Sequence, residues 1–449
     1  MVQVPTKPRF VEVMKSQFNY WKNPKTQIEV LRTYLREIKP TVAIARGQPI
    51  TFDVPGAVHL YNDLTSSNLR IRARIVQPDG TPITAAMHVG TANLYAHSMF
   101  GDILVELGGK LMNLATNGLY PYRSYIETLI NTREENKLTW GPVEGFYRDT
   151  AAHIDEPDPN SVDNAGLHAR EARFAAGREC EMTLRPFVDV FQQELCIPSN
   201  LNLRILLYPA QNEFLLKAAV LAAVGGAVPP NVLYRMEITE ATLVLETNEV
   251  DPSMEASQKL ILYKGMNMRF YYRNMEIKQF VITPNQGMHF FNKAFSPPLP
   301  DRILLALVTQ TAKNGHWQQN PFNFAHHNVN HVKVTIDNTP HESRPLEPDY
   351  RAPNFYMEAY NSLWRAANKM YKNASVGISF EEFPQGYAIY GVDLSADGSG
   401  GECPNAPRTG ELRIEIGFRV NPPAALTLIA IGDKPGWFEV DSAGEVILP

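Results

Sequence analysis

The sequence Leu-Arg-Ile-Arg-Ala-Arg-Ile at residues 69–75 alternates apolar side chains with arginine over seven positions. Successive side chains of a β-strand point to opposite faces, so this segment is predicted to be a strand with one buried face and one wet face. Residues 412–419 repeat the pattern, with Arg413, Glu415 and Arg419 on the polar face. Further strands are predicted at residues 201–208, 237–246, 278–283, 303–309 and 331–337.

Helical spacing of apolar residues occurs convincingly in only two segments. The first begins at Pro121, a residue that suits the first turn of a helix, and is expected to end by Asn136. The second covers residues 360–371, where apolar side chains form one stripe. Two short helices among many strands predict an all-β protein built from sandwiches or barrels.

Three segments are harder to assign from their pattern. Residues 26–39 fit a helix in part and a strand in part, and periodicity leaves the choice open. Residues 153–178 are polar and charged, which indicates a long, mobile surface loop inside the first half. The apolar run at residues 215–228 is too short and too interrupted to span a bilayer, so we interpret it as a loop or a partner contact.

Length and proline content suggest how the strands are organised. A chain of 449 residues exceeds the usual size of one domain, and its 34 prolines must lie largely in loops and at strand ends. Paired glycines and paired prolines at residues 225–231 mark the best boundary. We therefore predict an N-terminal arm at residues 1–25, a first sandwich at residues 26–228 and a second at residues 229–449.

Charge and cysteine content argue against several classes of protein. The net charge of −5 comes without a concentrated basic face, so specific nucleic-acid binding is not expected. Cys180, Cys196 and Cys403 have no CxxC spacing, which argues against a disulfide framework or a zinc ribbon. The N-terminus lacks the apolar region of a signal peptide, and folding in a reducing compartment fits this composition best.

Residues that could carry chemistry do not form a recognisable set. The chain has no GxxxxGK[ST], GxSxG or HExxH motif, which lowers the expectation of a common hydrolase. Four histidines cluster in sequence, and we interpret them as packing or hydrogen-bonding residues rather than zinc ligands, because no carboxylate or cysteine completes the set. They are His316, His326, His327 and His331.

The carboxylate pairs and the aromatic runs can each be interpreted as functional residues or as ordinary structural ones. The pairs at residues 134–135 and 381–382 could serve acid and base catalysis in a glycosidase, but neighbouring strand residues point apart, so solvated surface charge is preferred. The aromatic residues at 270–272 and 120–125 could stack on a sugar or a base, but core and interface packing is preferred.

Several segments together resemble one protein family. In the second half the segment is Asn-Pro-Phe-Asn-Phe-Ala-His-His-Asn at residues 320–328, followed by Pro-Leu-Glu-Pro-Asp-Tyr at residues 345–350. In the first half it is residues 97–110, then Tyr-Pro-Tyr-Arg-Ser-Tyr from residue 120; a third segment covers residues 383–394. In this order they resemble the double jelly-roll major capsid proteins of the adenovirus-like DNA virus lineage, especially those of Polinton/Maverick elements and adintoviruses.

The resemblance covers residues 27–446 and implies a fold. It implies two tandem eight-stranded antiparallel jelly rolls with short inserted helices, and residues 26–39 entering the first as extended chain. The matching positions form a structural signature rather than a catalytic, cofactor or metal site. They are Pro121, Tyr122, Arg123, Asn320, Pro321, Phe322, Asn323, Phe324 and His326. Phe322 and Phe324 are expected to be buried, with Asn320 or Asn323 bonding nearby backbone at a turn.

The resemblance also implies a function and partners. A major capsid protein of this kind forms a homotrimer, a pseudo-hexagonal capsomer that tiles an icosahedral shell beside neighbouring capsomers. A penton protein with a single jelly roll and minor or cement proteins are the further partners that it implies. The expected location is the virion capsid, with synthesis in the host cytoplasm and assembly there or in the nucleus. The alternatives are a minor or penton-type capsid protein, and a β-sandwich that binds or hydrolyses carbohydrate.

Overall fold

The computed structural model describes residues 16–18, 20, 25–219, 234–341, 344–351, 355–398 and 405–448. Within these residues two antiparallel β-sandwiches follow one another along the chain. Most of the predicted arm and all of the predicted boundary at residues 225–231 lie outside the described residues.

The eight main strands of the first sandwich form two sheets of four, each strand pairing antiparallel with its neighbours. One sheet has the order β1-β8-β3-β6 and the other the order β2-β7-β4-β5. The strands are β1 (Val30–Ile38), β2 (Ile50–Val54), β3 (Leu60–Val76), β4 (Phe100–Leu107), β5 (Lys110–Leu111), β6 (Cys180–Leu184), β7 (Leu203–Pro209) and β8 (Arg235–Val250).

The second sandwich repeats this arrangement. One sheet has the order β9-β16-β11-β14 and the other the order β10-β15-β12-β13. The strands are β9 (Met268–Ile282), β10 (Met288–Phe291), β11 (Arg302–Thr309), β12 (Val329–Ile336), β13 (Thr339–Pro340), β14 (Ile389–Asp393), β15 (Leu412–Phe418) and β16 (Leu426–Val440). One short strand adds to a sheet of each sandwich, Ile197–Pro198 beside β3 and Val446–Ile447 beside β16. Val89–Thr91 and Leu216–Ala218 pair with each other in a separate two-stranded sheet.

The two sandwiches have the same topology. Adding eight to each strand number of the first sandwich gives the strand order of the second in both sheets. Pairing of the first strand with the eighth and of the second with the seventh makes each sandwich a jelly roll. The predicted all-β fold of two tandem eight-stranded jelly rolls is therefore confirmed.

Strand β3 shows how the sequence produces a sandwich. Its alternating apolar residues, from Leu69 to Ile75, are fully buried in the core of the first jelly roll. The intervening arginines lie on the outer face, where Arg70 contacts Glu37 on β1 at 2.8 Å and Arg74 contacts Glu237 on β8 at 2.8 Å. Cross-strand pairs of opposite charge cover this outer face. The strand therefore has apolar side chains on its inner face and charged side chains on its outer face.

Strand β8 corrects the predicted division of the chain. Residues 229–449 were predicted to form the second half, but β8 pairs with β1 and β3 of the first sandwich. The physical reason is that the last strand of a jelly roll lies beside its first, so the chain returns to the first sheet before it leaves. We propose that the first sandwich ends at Val250.

Four helices of ten or more residues lie among the described residues. They are α1 (Tyr120–Asn131), α2 (Ala165–Phe174), α3 (Pro252–Tyr263) and α4 (Met357–Ala366). Short helical turns cover Ser16–Phe18, Tyr95–Ser98, Glu134–Thr139, Gly141–Glu144, Ala175–Gly177, Asp189–Phe191, Asn212–Leu215 and Gln310–Asn314. Helices α1 and α4 overlap the two predicted helical segments, but α1 ends at Asn131 rather than near Asn136, and α4 ends at Ala366 rather than at residue 371. The second helix stops early because Asn368 and Tyr371 have a positive φ, which a right-handed helix cannot contain.

Helices α2 and α3 were not predicted. The interpretation of residues 153–178 as a mobile surface loop is wrong, because α2 lies within it and buries Arg170 completely. A buried arginine makes a helical segment look polar in sequence, and this hides the packed face. Helix α3 joins the two sandwiches and keeps several apolar side chains exposed, so its sequence lacks a clear stripe.

Four further expectations concern residues 26–39, residues 215–228, membrane-spanning segments and the cysteines. Residues 26–39 contain strand β1, as the resemblance implies. The apolar run at 215–228 is described only to residue 219, and its first part pairs with Val89–Thr91 as a strand instead of forming a loop. No helix among the described residues is long and apolar enough to cross a membrane. Cys180 and Cys196 are free thiols, and Cys403 lies outside the described residues.

Candidate structural site at the junction of the two sandwiches

An aromatic cluster joins the two jelly rolls. Helix α1 of the first half contributes Tyr122 and Tyr125, and Pro121 lies in its first turn. Phe322 of the second half stacks on Tyr125, with ring centroids 4.3 Å apart and an interplanar angle of 16°. The same ring meets Tyr122 edge-on at 5.6 Å. The motif segments of the two halves are thus in direct contact, in geometries that aromatic pairs prefer.

Helix α1 is buried on nearly every side, and this explains its sequence. All residues from Tyr120 to Ile130 are buried. A helix surrounded by protein needs apolar side chains all round, or polar ones with partners. Phe322 and Phe324 are also fully buried, as expected from the resemblance.

A buried ion-pair group lies beside the aromatic cluster. The guanidinium of Arg123 donates to Glu127 at 2.7 Å and to Asp189, and these three side chains are at most 4% exposed. The backbone N–H of Met275, on strand β9 of the second sandwich, donates to Asp189 at 3.3 Å. Burial raises the pKa of Asp189 to about 6, against the lowering effect of Arg123. The group therefore links the first half to the second through charge-assisted hydrogen bonds.

The Asn320 turn forms a second link. The backbone N–H of Asn320 donates to Asp155 at 2.7 Å, and its side-chain amide donates to the carbonyl of Ile154 at 3.2 Å. Its side-chain oxygen accepts from the N–H of Phe322 at 3.0 Å, which fixes the turn that presents the aromatic ring. The amide of Asn323 also donates to Asp155. Asn320 and Asn323 thus both bind the loop that precedes helix α2.

Asp149 connects this turn to the core of the first half. Its carboxylate lies 2.8 Å from the guanidinium of Arg170 on helix α2. The amide of Asn320 donates to the same carboxylate at 3.4 Å, and the hydroxyl of Tyr387 donates to the Asp149 carbonyl at 2.8 Å. Asp149 is therefore a buried residue that is hydrogen-bonded to side chains of both halves. Sequence reasoning did not select Asp149 or Arg170, and a single polar residue in an apparent loop offers no periodicity to find it.

Arg148 forms a third link between the two halves. It binds one glutamate from each of the carboxylate pairs at residues 134–135 and 381–382. It contacts Glu134 at 3.2 Å and forms two hydrogen bonds with Glu382, at 3.1 and 2.6 Å. One member of each pair is therefore bound to the same arginine across the junction. Glu135 and Glu381, the other members, are exposed.

The four histidines make separate contacts. His326 stacks on Tyr350 with centroids 4.1 Å apart, and His316 accepts from the N–H of Gln318. Burial lowers the pKa of His327 to about 4, with a smaller contribution from His326. His331 lies 3.8 Å from Glu415. Among the described residues these imidazoles do not form a group with the spacing of metal ligands.

Similarity to known proteins is found both in the sequence, at low identity, and in the fold. No family model matches the chain. An uncharacterized protein of Caenorhabditis elegans is 20% identical over 352 residues, which cover 78% of this chain and 79% of that protein. A chain of the Sputnik virophage is similar over 100% of this chain and 94% of its own, with a TM-score of 0.64 and 10% identity.

Two further solved structures share the architecture. The mavirus major capsid protein covers 98% of this chain and 96% of its own length, with a TM-score of 0.53 and 12% identity. The faustovirus major capsid protein covers 95% of this chain and 92% of its own length, with a TM-score of 0.54 and 10% identity. This chain has the fold of viral major capsid proteins. The similarity extends over both jelly rolls.

Proposed function

We propose that this chain is a major capsid protein whose trimers tile an icosahedral shell. The observation that supports this most strongly is the presence of two complete jelly rolls of identical topology, joined by a buried junction. Each chain has two similar jelly rolls, so a trimer presents six of them around its threefold axis. Six similar sides fit a pseudo-hexagonal position in a shell. The similar solved structures are structural proteins of viral shells, which favours a scaffold over a catalyst.

The two sandwiches carry unlike apolar edges, and this supports a ring of copies. Strand β1 is the outer strand of its sheet and exposes 58% of Leu31 and 61% of Leu35. Strands β9 and β10 are outer strands of the second sandwich, and they expose 61% of Tyr271 and 51% of Phe290. Contact between two different surfaces of identical copies closes into a ring when the rotation allows it. We therefore propose that the first edge of one copy packs on the second edge of the next.

The alternatives fit these observations less well. A penton-type capsid protein needs one jelly roll, and here the second repeats the first in full. A carbohydrate-binding or hydrolytic sandwich needs converging acids, but Glu134 and Glu382 are bound to Arg148. The motif resemblance further favours the Polinton/Maverick and adintovirus branch, with neighbouring capsomers, a penton protein and minor or cement proteins as partners. A virion location, after synthesis in the host cell, accompanies that assignment.

Mass photometry and negative-stain imaging of the purified chain test this proposal. We expect particles of three chain masses with a pseudo-hexagonal outline at all but the lowest concentrations. The double variant Leu31→Lys/Leu35→Lys should abolish the trimer, because two charges cannot be buried without partners in an apolar contact. The matched control Leu114→Lys changes an exposed leucine outside both edges and should remain trimeric.

A wild-type chain that stays monomeric over a wide concentration range would overturn the capsid assignment. Trimers that survive the double substitution on β1 would keep the assignment but reject this edge as the contact. Turnover of a glycan or an ester by the monomer would favour the enzymatic alternative.

A further inference from the structure

The loop that precedes helix α2 brings together three side chains of metal-ligand type. They are His153, Glu156 and Asp163, and one donor atom from each lies within 4.8 Å of the other two. No other such group is found in the part of the chain that the structure describes. The residues lie outside the signature positions, and the histidine cluster singled out in the sequence does not contribute to them.

Backbone hydrogen bonds hold the three residues in place. The N–H of His153 donates to the carbonyl of Thr150 at 3.0 Å, and the N–H of Glu156 donates to the carbonyl of His153 at 3.1 Å. At the other end of the loop the N–H of Ala165 donates to the hydroxyl of Thr150 at 3.1 Å. Thr150 therefore fixes both the turn that carries His153 and the helix start that follows Asp163. The closure of the loop brings ligands ten residues apart to the same place.

The charges of this group favour a cation. Two carboxylates converge here, and neither has a lysine or arginine within ion-pair distance among the described residues. The side chain of Glu156 accepts one hydrogen bond, from the N–H of Asp158 at 3.2 Å. Adjacent like charges repel one another, and a bound cation removes that repulsion.

The donor types select among cations. Calcium and magnesium prefer shells made of oxygen alone, whereas zinc accepts an imidazole nitrogen together with carboxylate oxygens. Three protein ligands also leave a fourth tetrahedral position for water or for a group from another molecule.

We propose that His153, Glu156 and Asp163 bind one zinc ion per chain. The ion would clamp the turn that also contains Ile154 and Asp155, which bind the Asn320 turn of the second sandwich. Zinc would thereby brace the junction between the jelly rolls. This proposal does not depend on the capsid function, because it concerns contacts within a single chain.

Calorimetric titration of the full-length, metal-free chain with zinc chloride tests the site. The wild type should bind one ion per chain, and both His153→Gln and Asp163→Asn should weaken binding by about 100-fold or more. Loss of groups that only support a ligand already costs about 10- to 100-fold in affinity, so loss of a ligand should cost at least as much. The control Glu135→Gln removes an exposed carboxylate that lies outside the group and should bind like the wild type.

Two results would overturn the site. One is a wild-type chain that binds no zinc, and the other is equal loss of binding in Glu135→Gln and Asp163→Asn. X-ray absorption at the zinc edge gives an independent readout, with a nitrogen expected at about 2.0 to 2.1 Å that disappears in His153→Gln. Tighter binding of calcium than of zinc would reject the nitrogen ligand. Zinc binding can be measured on monomers and on trimers alike. A failure of the zinc proposal is therefore distinguishable from a failure of the capsid proposal.

Discussion

The junction and the outer face of the first sandwich use the same ion-pair chemistry at opposite degrees of exposure. At the junction, Arg123 is 4% exposed and meets two carboxylates that are as well buried. On the outer face, Arg74 of strand β3 is 38% exposed and meets Glu237 at 2.8 Å. The distances are similar, but water screens only the second pair.

This difference assigns different roles to the two regions. A buried charge without its partner is costly, so an arrangement of the two jelly rolls that separates Arg123 from its carboxylates is disfavoured. An exposed pair contributes little to stability, and its main effect is to keep the outer sheet face polar and wet. We therefore expect stability to depend on the junction and to be nearly insensitive to the outer charges.

The largest effect is expected from Phe322→Ala at the junction. The substitution removes a fully buried ring that packs on Tyr122 and Tyr125, and it leaves a cavity between the sandwiches. The free energy of unfolding should fall by about 3 to 5 kcal/mol. Urea titration at a fixed protein concentration measures this change.

A matched substitution on the surface sharpens the comparison. Phe355 is 69% exposed, so Phe355→Ala should change the free energy of unfolding by about 0.5 kcal/mol or less. Equal effects of the two phenylalanine substitutions would mean that the aromatic cluster does not hold the sandwiches together.

A smaller and pH-dependent effect is expected at Asp189. Burial raises its pKa to about 6 from an ordinary value of 3.8, and Arg123 opposes the shift. The folded protein therefore binds this proton more tightly than the unfolded chain does. The resulting stabilisation is complete below about pH 4 and is lost as the pH rises through about 6.

The variant Asp189→Asn isolates this contribution, because its amide does not titrate. The stability of the wild type minus that of the variant should fall as the pH rises from 4 to 7. Urea titrations of both proteins across this range measure it. A difference that stays constant, or grows with pH, would show that Arg123 keeps Asp189 ionised throughout.

The smallest effect is expected from Arg74→Met on the outer face. Methionine keeps the apolar stem and removes the charge, so the loss should be about 1 kcal/mol or less and should shrink further in high salt. The trimer should remain intact by mass photometry. A loss as large as that of Phe322→Ala would contradict the proposed division between junction and surface.

The sequence by itself determined the class of fold. Alternation at residues 69–75 and 412–419 predicted strands that the structure confirms, because burial of one sheet face imposes a period of two on the chain. Helix α1 was also predictable, since Pro121 and its apolar residues are local signals. The Asn320 motif was selected by resemblance, and its aromatic residues are buried as expected.

Only the tertiary structure decided which distant residues meet. Strand β8 returns to the first sheet because it pairs with strands about 170 and 210 residues earlier, and no local pattern encodes such a pairing. Arg170 looked like a surface residue because its burial depends on Asp149 and on backbone carbonyls that the fold brings to it. Contact between Tyr125 and Phe322 likewise arises from packing of the two jelly rolls. Periodicity reports the environment of a segment, whereas the identity of its partners depends on how the whole chain closes.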